Sequence, residues 1–321
     1  MNMSQKTAIW DGDNKQLVRE KKVAEIKKFY LNGSIAKLAR PPLYLTFAGA
    51  QAHVEKSLVA KGLAEPWQIT TIQTHQIVGG HLGKPYLRKL IKRRDKALEG
   101  MFIWPHNFNH FCSFYSSDKK HKPNLSFGDS DIFAQEMETF LDPEFTCDPF
   151  AILDIDICGV FGAGISDDLS KLITTQKLDD AGLLFFTHQK GRDSCNGNLF
   201  SFVKQFIQDN QHPSFQRLLE EIEKPVSEKK SIRNEEQREA FRLIREHFAP
   251  CFLGLVAAKA GYLLTPEWLV EYRDLNPETN SGNYMYQWAF KFEKMDIGNW
   301  YRNLFVPMYM EAPAYEYKRL G

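Results

Sequence analysis

Residues 150–156 read FAILDID, an unbroken apolar run that ends in acids, and residues 182–187 (GLLFFT) form a second such run. Apolar residues at successive positions, not alternate ones, predict strands buried on both faces of a sheet. Shorter runs at 43–47 (LYLTF), 69–73 (ITTIQ) and 125–127 (LSF) predict three more strands. Helical spacing occupies the intervals. Over 14–38, Leu17, Val23, Ile26, Phe29 and Tyr30 fall near one face, with Arg19, Lys21, Lys22, Lys27 and Lys28 on the other, until Asn32-Gly33 breaks the pattern. Residues 52–61 suit a helix that stops at Gly62. A further helix follows Asp131, and one over 166–175 has Asp167 and Asp168 toward its positive end. Strands alternating with helices predict a parallel sheet covered on both faces.

After residue 195 the pattern becomes all-helical as far as 262. Phe248 to Leu264 is the longest apolar stretch, but it contains Pro250 and Lys259 and falls short of a membrane span, so it predicts a buried helix broken at the proline. Two strands, 268–275 and 284–294, then flank a turn at 276–283 and predict an antiparallel pair at the sheet edge. The expected organisation is a helical extension over 1–40, an α/β domain built from 41–194 and 263–296, a helical insertion over 195–262, and a C-terminal tail over 297–321.

Composition narrows the class. Of 321 residues, 43% are hydrophobic and 25% charged, a globular balance. Lys+Arg number 41 and Asp+Glu 40, so any nucleic acid must be held by a local basic patch without help from a global field. The five cysteines (Cys112, Cys147, Cys158, Cys195 and Cys251) contain no C-x-x-C pair, which argues against a disulfide framework or a zinc ribbon. With a polar N-terminus and no apolar leader, the expectation is a cytoplasmic protein with no membrane partner.

Ligands in open α/β sheets bind at the carboxyl ends of strands, so three strand ends carry the candidate chemistry. Ala48-Gly49-Ala50 follows the first strand, where a glycine lets backbone approach a ligand and the next helix offers free N–H groups. Gly128-Asp129-Ser130-Asp131 offers acids to an amino group or sugar hydroxyl, or equally a helix cap. Asp154 lies within an apolar strand, where an ionised carboxylate is costly unless paired or facing a ligand. Asp156, two residues on, shares its face.

A glycine turn after strand one, Gly-Asp-x-Asp after strand three, Asp-x-Asp-x-x-Gly after strand four and a closing antiparallel pair together resemble a class I S-adenosylmethionine-dependent methyltransferase. The Asp154–Gly159 element is loosely similar to the Asp-x-Asp-Pro-Phe-Gly of tRNA guanine N2-dimethyltransferases, with Ile157 and Cys158 replacing the proline and aromatic. The resemblance implies a Rossmann-like, seven-stranded, mostly parallel sheet whose last strand is antiparallel. It implies S-adenosylmethionine as cofactor, with Ala48, Gly49 and Ala50 against its methionine part and Asp129 or Asp131 at its adenine. Gln73 would stand where the family has a ribose-binding acid. Asp156 would orient the acceptor and take its proton, and Asp154 would hold the cofactor or the local turn.

The acceptor expected is a nitrogen of a nucleic-acid base. Lys84 to Glu99 (KPYLRKLIKRRDKALE) predicts a basic helix in which Arg88, Lys92 and Arg93 could contact DNA or RNA, beside an aromatic stretch over 101–115. The same charge pattern equally fits a solvated helix face. His188, in the segment after strand five, could touch substrate, although a loop histidine at the surface is the plainer reading. The alternative function is nucleic-acid binding on the same scaffold with a decayed cofactor site, to which the neutral Gln73 points.

Overall fold

The computed structural model describes residues 13–33, 38, 41–47, 52–72, 77–78, 81–82, 101–104, 149–161, 163–174, 178–190, 205, 216–217, 220, 235–275, 282–295 and 315–320. Four helices are used below: α1 (Asp13–Leu31), α2 (His53–Ala60), α3 (Ala163–Thr174) and α4 (Glu235–Lys259). The strands are β1 (Tyr44–Thr46), β2 (Ile69–Ile72), β3 (Ile77–Val78), β4 (His81–Leu82), β5 (Phe102–Trp104), β6 (Phe150–Val160), β7 (Leu178–Gln189), β8 (Tyr262–Leu275), β9 (Gly282–Lys294) and β10 (Glu316–Arg319). This is a mixed α/β protein.

Eight strands make one sheet in the order β10-β8-β9-β7-β6-β1-β2-β5, and β3 pairs with β4 separately. β9 runs antiparallel to both its neighbours, while every other neighbouring pair in the large sheet is parallel. The expected edge pair is therefore corrected. The β8–β9 hairpin folds so that β9 inserts beside β7, where it pairs from Ala181↔Glu293 to Gln189↔Met285. That leaves β8 parallel to the body of the sheet. Beyond it, β10 adds an edge strand from the segment expected to be a tail.

Strand alternation splits the core into two layers. Leu153 and Ile155 of β6 and Leu184 and Phe186 of β7 pack with Leu169 and Leu172 of α3 and Phe248, Leu253 and Val256 of α4. On the opposite face, Ile152, Leu183 and Phe185 pack with Val18, Val23, Ile26 and Phe29 of α1 and Leu58 of α2. The helical insertion is thus also corrected over 235–259, because α4 lies on α3 and β8 and forms part of the main core. It runs through Pro250 without ending there; a proline removes one intrahelical hydrogen bond, and the packing of Phe248, Cys251 and Leu253 on the sheet side outweighs that loss. Gly261, at φ 82°, supplies the left-handed residue that turns α4 into β8.

The place beside β2 is taken by β5, with Thr70↔Phe102 to Ile72↔Trp104 in register. The strand expected at 125–127 lies outside the described residues.

Gly182 marks the tightest approach in the sheet. A Cβ there would lie 1.9 Å from the Ala151 carbonyl oxygen and 2.4 Å from the Phe292 ring. The β6–β7 register slips at this point, from Phe150↔Leu178 to Ile152↔Leu183. Neither backbone nor a ring locked in the core can retreat cheaply. Gly182→Ala is expected to lower the unfolding free energy by about 3 kcal/mol, read as a lower urea midpoint at unchanged m-value.

Candidate functional site

Chain order reverses between β1 and β6: β1, β2 and β5 progress to one side, β6 and β7 to the other. The carboxyl ends of β1 and β6 therefore bound the crevice that such a reversal opens. Thr46 of β1 pairs with Asp154 of β6, and Asp156 pairs with Thr187 of β7. With side chains alternating along a strand, Thr46, Asp154, Asp156 and Thr187 share the face covered by α1 and α2.

Asp154 is buried at 7% exposure, and its Oδ1 accepts a hydrogen bond from Lys22 Nζ at 2.6 Å. Lys22 belongs to α1 and is buried at 5%, so its expected place on the polar face is corrected. Position 22 lies one turn from both Val18 and Ile26 on the packed face of the helix. Burial pushes the Asp154 carboxyl above the usual carboxylate range, with Lys22 opposing and Asp156 adding to the rise. Arg19, one turn earlier on α1, also opposes it. Breaking such a pair by removing one partner costs about 3–5 kcal/mol, because it strands a buried charge.

Glu55, the third residue of α2, joins the cluster. It is buried at 3%, and burial pushes its carboxyl up, with Asp154 pushing the same way and Thr46 and Lys22 opposing. Asp156, half-buried at the rim, is the acid of β6 that remains accessible. Beside it, the Thr187 hydroxyl donates to Gln287 Oε1 of β9, so both buried side chains are satisfied.

The predicted acids Asp154 and Asp156 are thus brought together at the strand reversal. Ala48, Gly49, Ala50, Gln73, Asp129, Asp131, Arg88, Lys92 and Arg93 lie outside the described residues. Phe47 and Ala52, which flank the predicted glycine turn, are described, as is Ile72 immediately before Gln73. With β5 beside β2, the residues that follow the third parallel strand in sequence are Pro105-His106-Asn107, and Asp129 and Asp131 come much later.

His188 is corrected from a surface loop to the interior of β7, at 2% exposure. It faces away from the acids, stacked on Phe186 at 5.3 Å and flanked by Phe161 and Tyr286. Its Nδ1–H donates to the Gln189 carbonyl at 3.1 Å, and its buried Nε2 has no hydrogen-bond partner among the described residues. Near the same strand end, Lys190 bridges to Glu271 at 2.8 Å and lies over the Tyr286 ring, while the Tyr317 hydroxyl donates to Glu271 at 2.9 Å. The Tyr317 bond secures β10 to β8, and Lys190 ties the end of β7 to β8. Burial alone would raise the Glu271 carboxyl, but Lys190 and Tyr317 hold it below the usual range.

Lys22, Thr46, Glu55 and the Thr187–Gln287 pair are the residues that sequence reasoning missed. Glu55 left a local signal as an acid in the first turn of the helix that follows the glycine turn, and Lys22 a fainter one in its one-turn spacing from Val18 and Ile26. Among the described residues, no group of three or more histidines, cysteines and acids is placed to hold a metal ion, and no helix is long and apolar enough to cross a membrane.

Burial holds the His188 imidazole down to a pKa of about 4. The unfolded chain takes up this proton near pH 6.5, and the folded chain only near 4. Stability from this group is therefore complete above about pH 6.5 and falls as pH drops toward 4, by about 3 kcal/mol in all. His188→Phe keeps an aromatic ring in place and removes the titration. The wild type minus variant difference in unfolding free energy should shift against the wild type between pH 7 and 4.5, and a pH-independent difference would contradict the assignment.

No family model and no curated protein sequence matches the chain.

Proposed function

We propose that the protein transfers methyl groups from S-adenosylmethionine to a nitrogen of a nucleic-acid base, on a Rossmann-like scaffold. The observation that carries this reading is the position of the two acids relative to the sheet. Asp154 and Asp156 stand on the strand that borders β1 at the reversal of chain order, and the seventh strand of the large sheet in chain order, β9, is its antiparallel member. Both features are what the resemblance to class I methyltransferases leads one to expect. The donor set suits a sulfonium ligand, since a half-buried carboxylate beside a balanced ion pair complements a positive charge.

When bound, the cofactor supplies a methyl group already activated for displacement. The protein's tasks are then alignment and proton removal. Ala48, Gly49 and Ala50 are assigned to the methionine part and Gln73 to the ribose. Asp156 would accept a hydrogen bond from the acceptor N–H, turn the nitrogen lone pair toward the methyl carbon and take the proton as the N–C bond forms and the methyl–sulfur bond breaks, the sulfur leaving as a neutral thioether. Asp154, engaged by Lys22, has no free role in that transfer. The basic stretch containing Arg88, Lys92 and Arg93 is assigned to the nucleic-acid backbone. Cysteines without a pairing pattern suit the reducing cytoplasm.

Titration calorimetry with S-adenosylmethionine tests cofactor binding directly, and absence of heat rejects the methyltransferase reading. S-adenosylhomocysteine at about 100 times its Kd should stabilise the fold by about 2.7 kcal/mol, raising Tm. Asp156→Asn is expected to slow methyl transfer to DNA or RNA by about a hundredfold or more with cofactor affinity retained. Full turnover in that variant would remove Asp156 from its role.

A further inference from the structure

Asp154 is connected to both sides of the junction between β1 and α2. On the incoming side, its backbone carbonyl accepts the Phe47 N–H at 3.0 Å. On the outgoing side, Glu55, buried in the first turn of α2, lies within electrostatic reach of its carboxylate. Lys22 reaches the same carboxylate from α1, which itself packs against α2. Ala52, where the chain enters α2, is held at φ 47° and ψ 46°, a left-handed conformation that an alanine keeps only when its surroundings over-determine it. Ala52 is also packed in the α1-side core. Among the described residues, Lys22 and Arg19 of α1, Glu55 of α2 and Asp156 of its own strand bear electrostatically on Asp154.

We infer that Lys22 is a positioning residue: its bond to Asp154 fixes the carboxyl end of β1 against the first turn of α2, and so sets cofactor affinity and not the rate of methyl transfer. The inference rests on the methyltransferase reading. It makes the N-terminal helix a working wall of the site instead of an appendage. Without Lys22 the buried carboxylate loses its cation and takes up a proton, and the three elements that meet there lose their common anchor.

The test separates affinity from turnover. Lys22→Met should weaken S-adenosylmethionine binding at least tenfold by calorimetry, while kcat at saturating cofactor stays within about threefold of wild type. Asp156→Asn should do the reverse. The double variant Lys22→Met/Asp154→Val replaces a buried ion pair with an apolar one, a change that generally preserves stability, so it should regain the wild-type Tm without regaining affinity. If its Tm stays low, Val256→Ala, a cut in the core on the opposite face, serves as a stability-matched comparison. Wild-type affinity in the double variant overturns the inference, as does an equal loss of affinity in Val256→Ala or a loss confined to kcat in Lys22→Met. A wild type that binds no S-adenosylmethionine removes the methyltransferase reading, and the inference falls with it; binding by wild type and variants alike removes the inference alone.

Discussion

An ionised carboxylate in the middle of a parallel sheet survives only if a cation and hydrogen-bond donors reach it. Among the described residues, Asp154 meets that condition through a buried lysine on a helix far away in sequence. The requirement shapes what surrounds it. α1 has to lie across the sheet with Lys22 aimed inward, and α2 has to begin where Glu55 shares the same low-dielectric space. Three elements are thereby fixed around one side chain of β6.

The sheet then determines where that cluster faces. β1 and β6 are neighbours although a long stretch of chain separates them, because the chain lays β2 and β5 on one side before returning to build β6 and β7 on the other. The crevice at this reversal follows from topology alone. Its two faces differ chemically. The α1 side holds Thr46, Asp154, Asp156 and the Thr187–Gln287 pair, whereas the α4 side holds aromatic rings around a neutral His188. Alternation along β6 and β7 produces this division, since a shift of one residue would exchange the two sets.

Much of this was legible in the chain. The runs 150–156 and 182–187 predicted buried strands and are the cores of β6 and β7, because a strand covered on both faces must be apolar at every position. Asp154 was legible as a buried acid in need of a partner for the same reason. The partner was not. A lysine among other lysines on an amphipathic helix looks solvated, and only its one-turn spacing from Val18 and Ile26 marks the packed face. His188 was misplaced because Gln189 and Lys190 look like loop residues, while β9 extends the ladder through His188 and Gln189. Pro250 predicts a break in the helix since local propensity opposes it, whereas tertiary packing carries α4 through that position.

By itself, the order of apolar and polar residues determined the α/β class, the two central strands, the first helix and the acidic end of β6, all of which depend on contacts every residue makes with solvent or core. The tertiary structure alone decided that β9 enters between β7 and β8, that β5 and not a later segment lies beside β2, and that Lys22 closes on Asp154. Those outcomes depend on which distant segments compete for the same hydrogen-bonding edge or the same buried charge, and no local pattern carries that information.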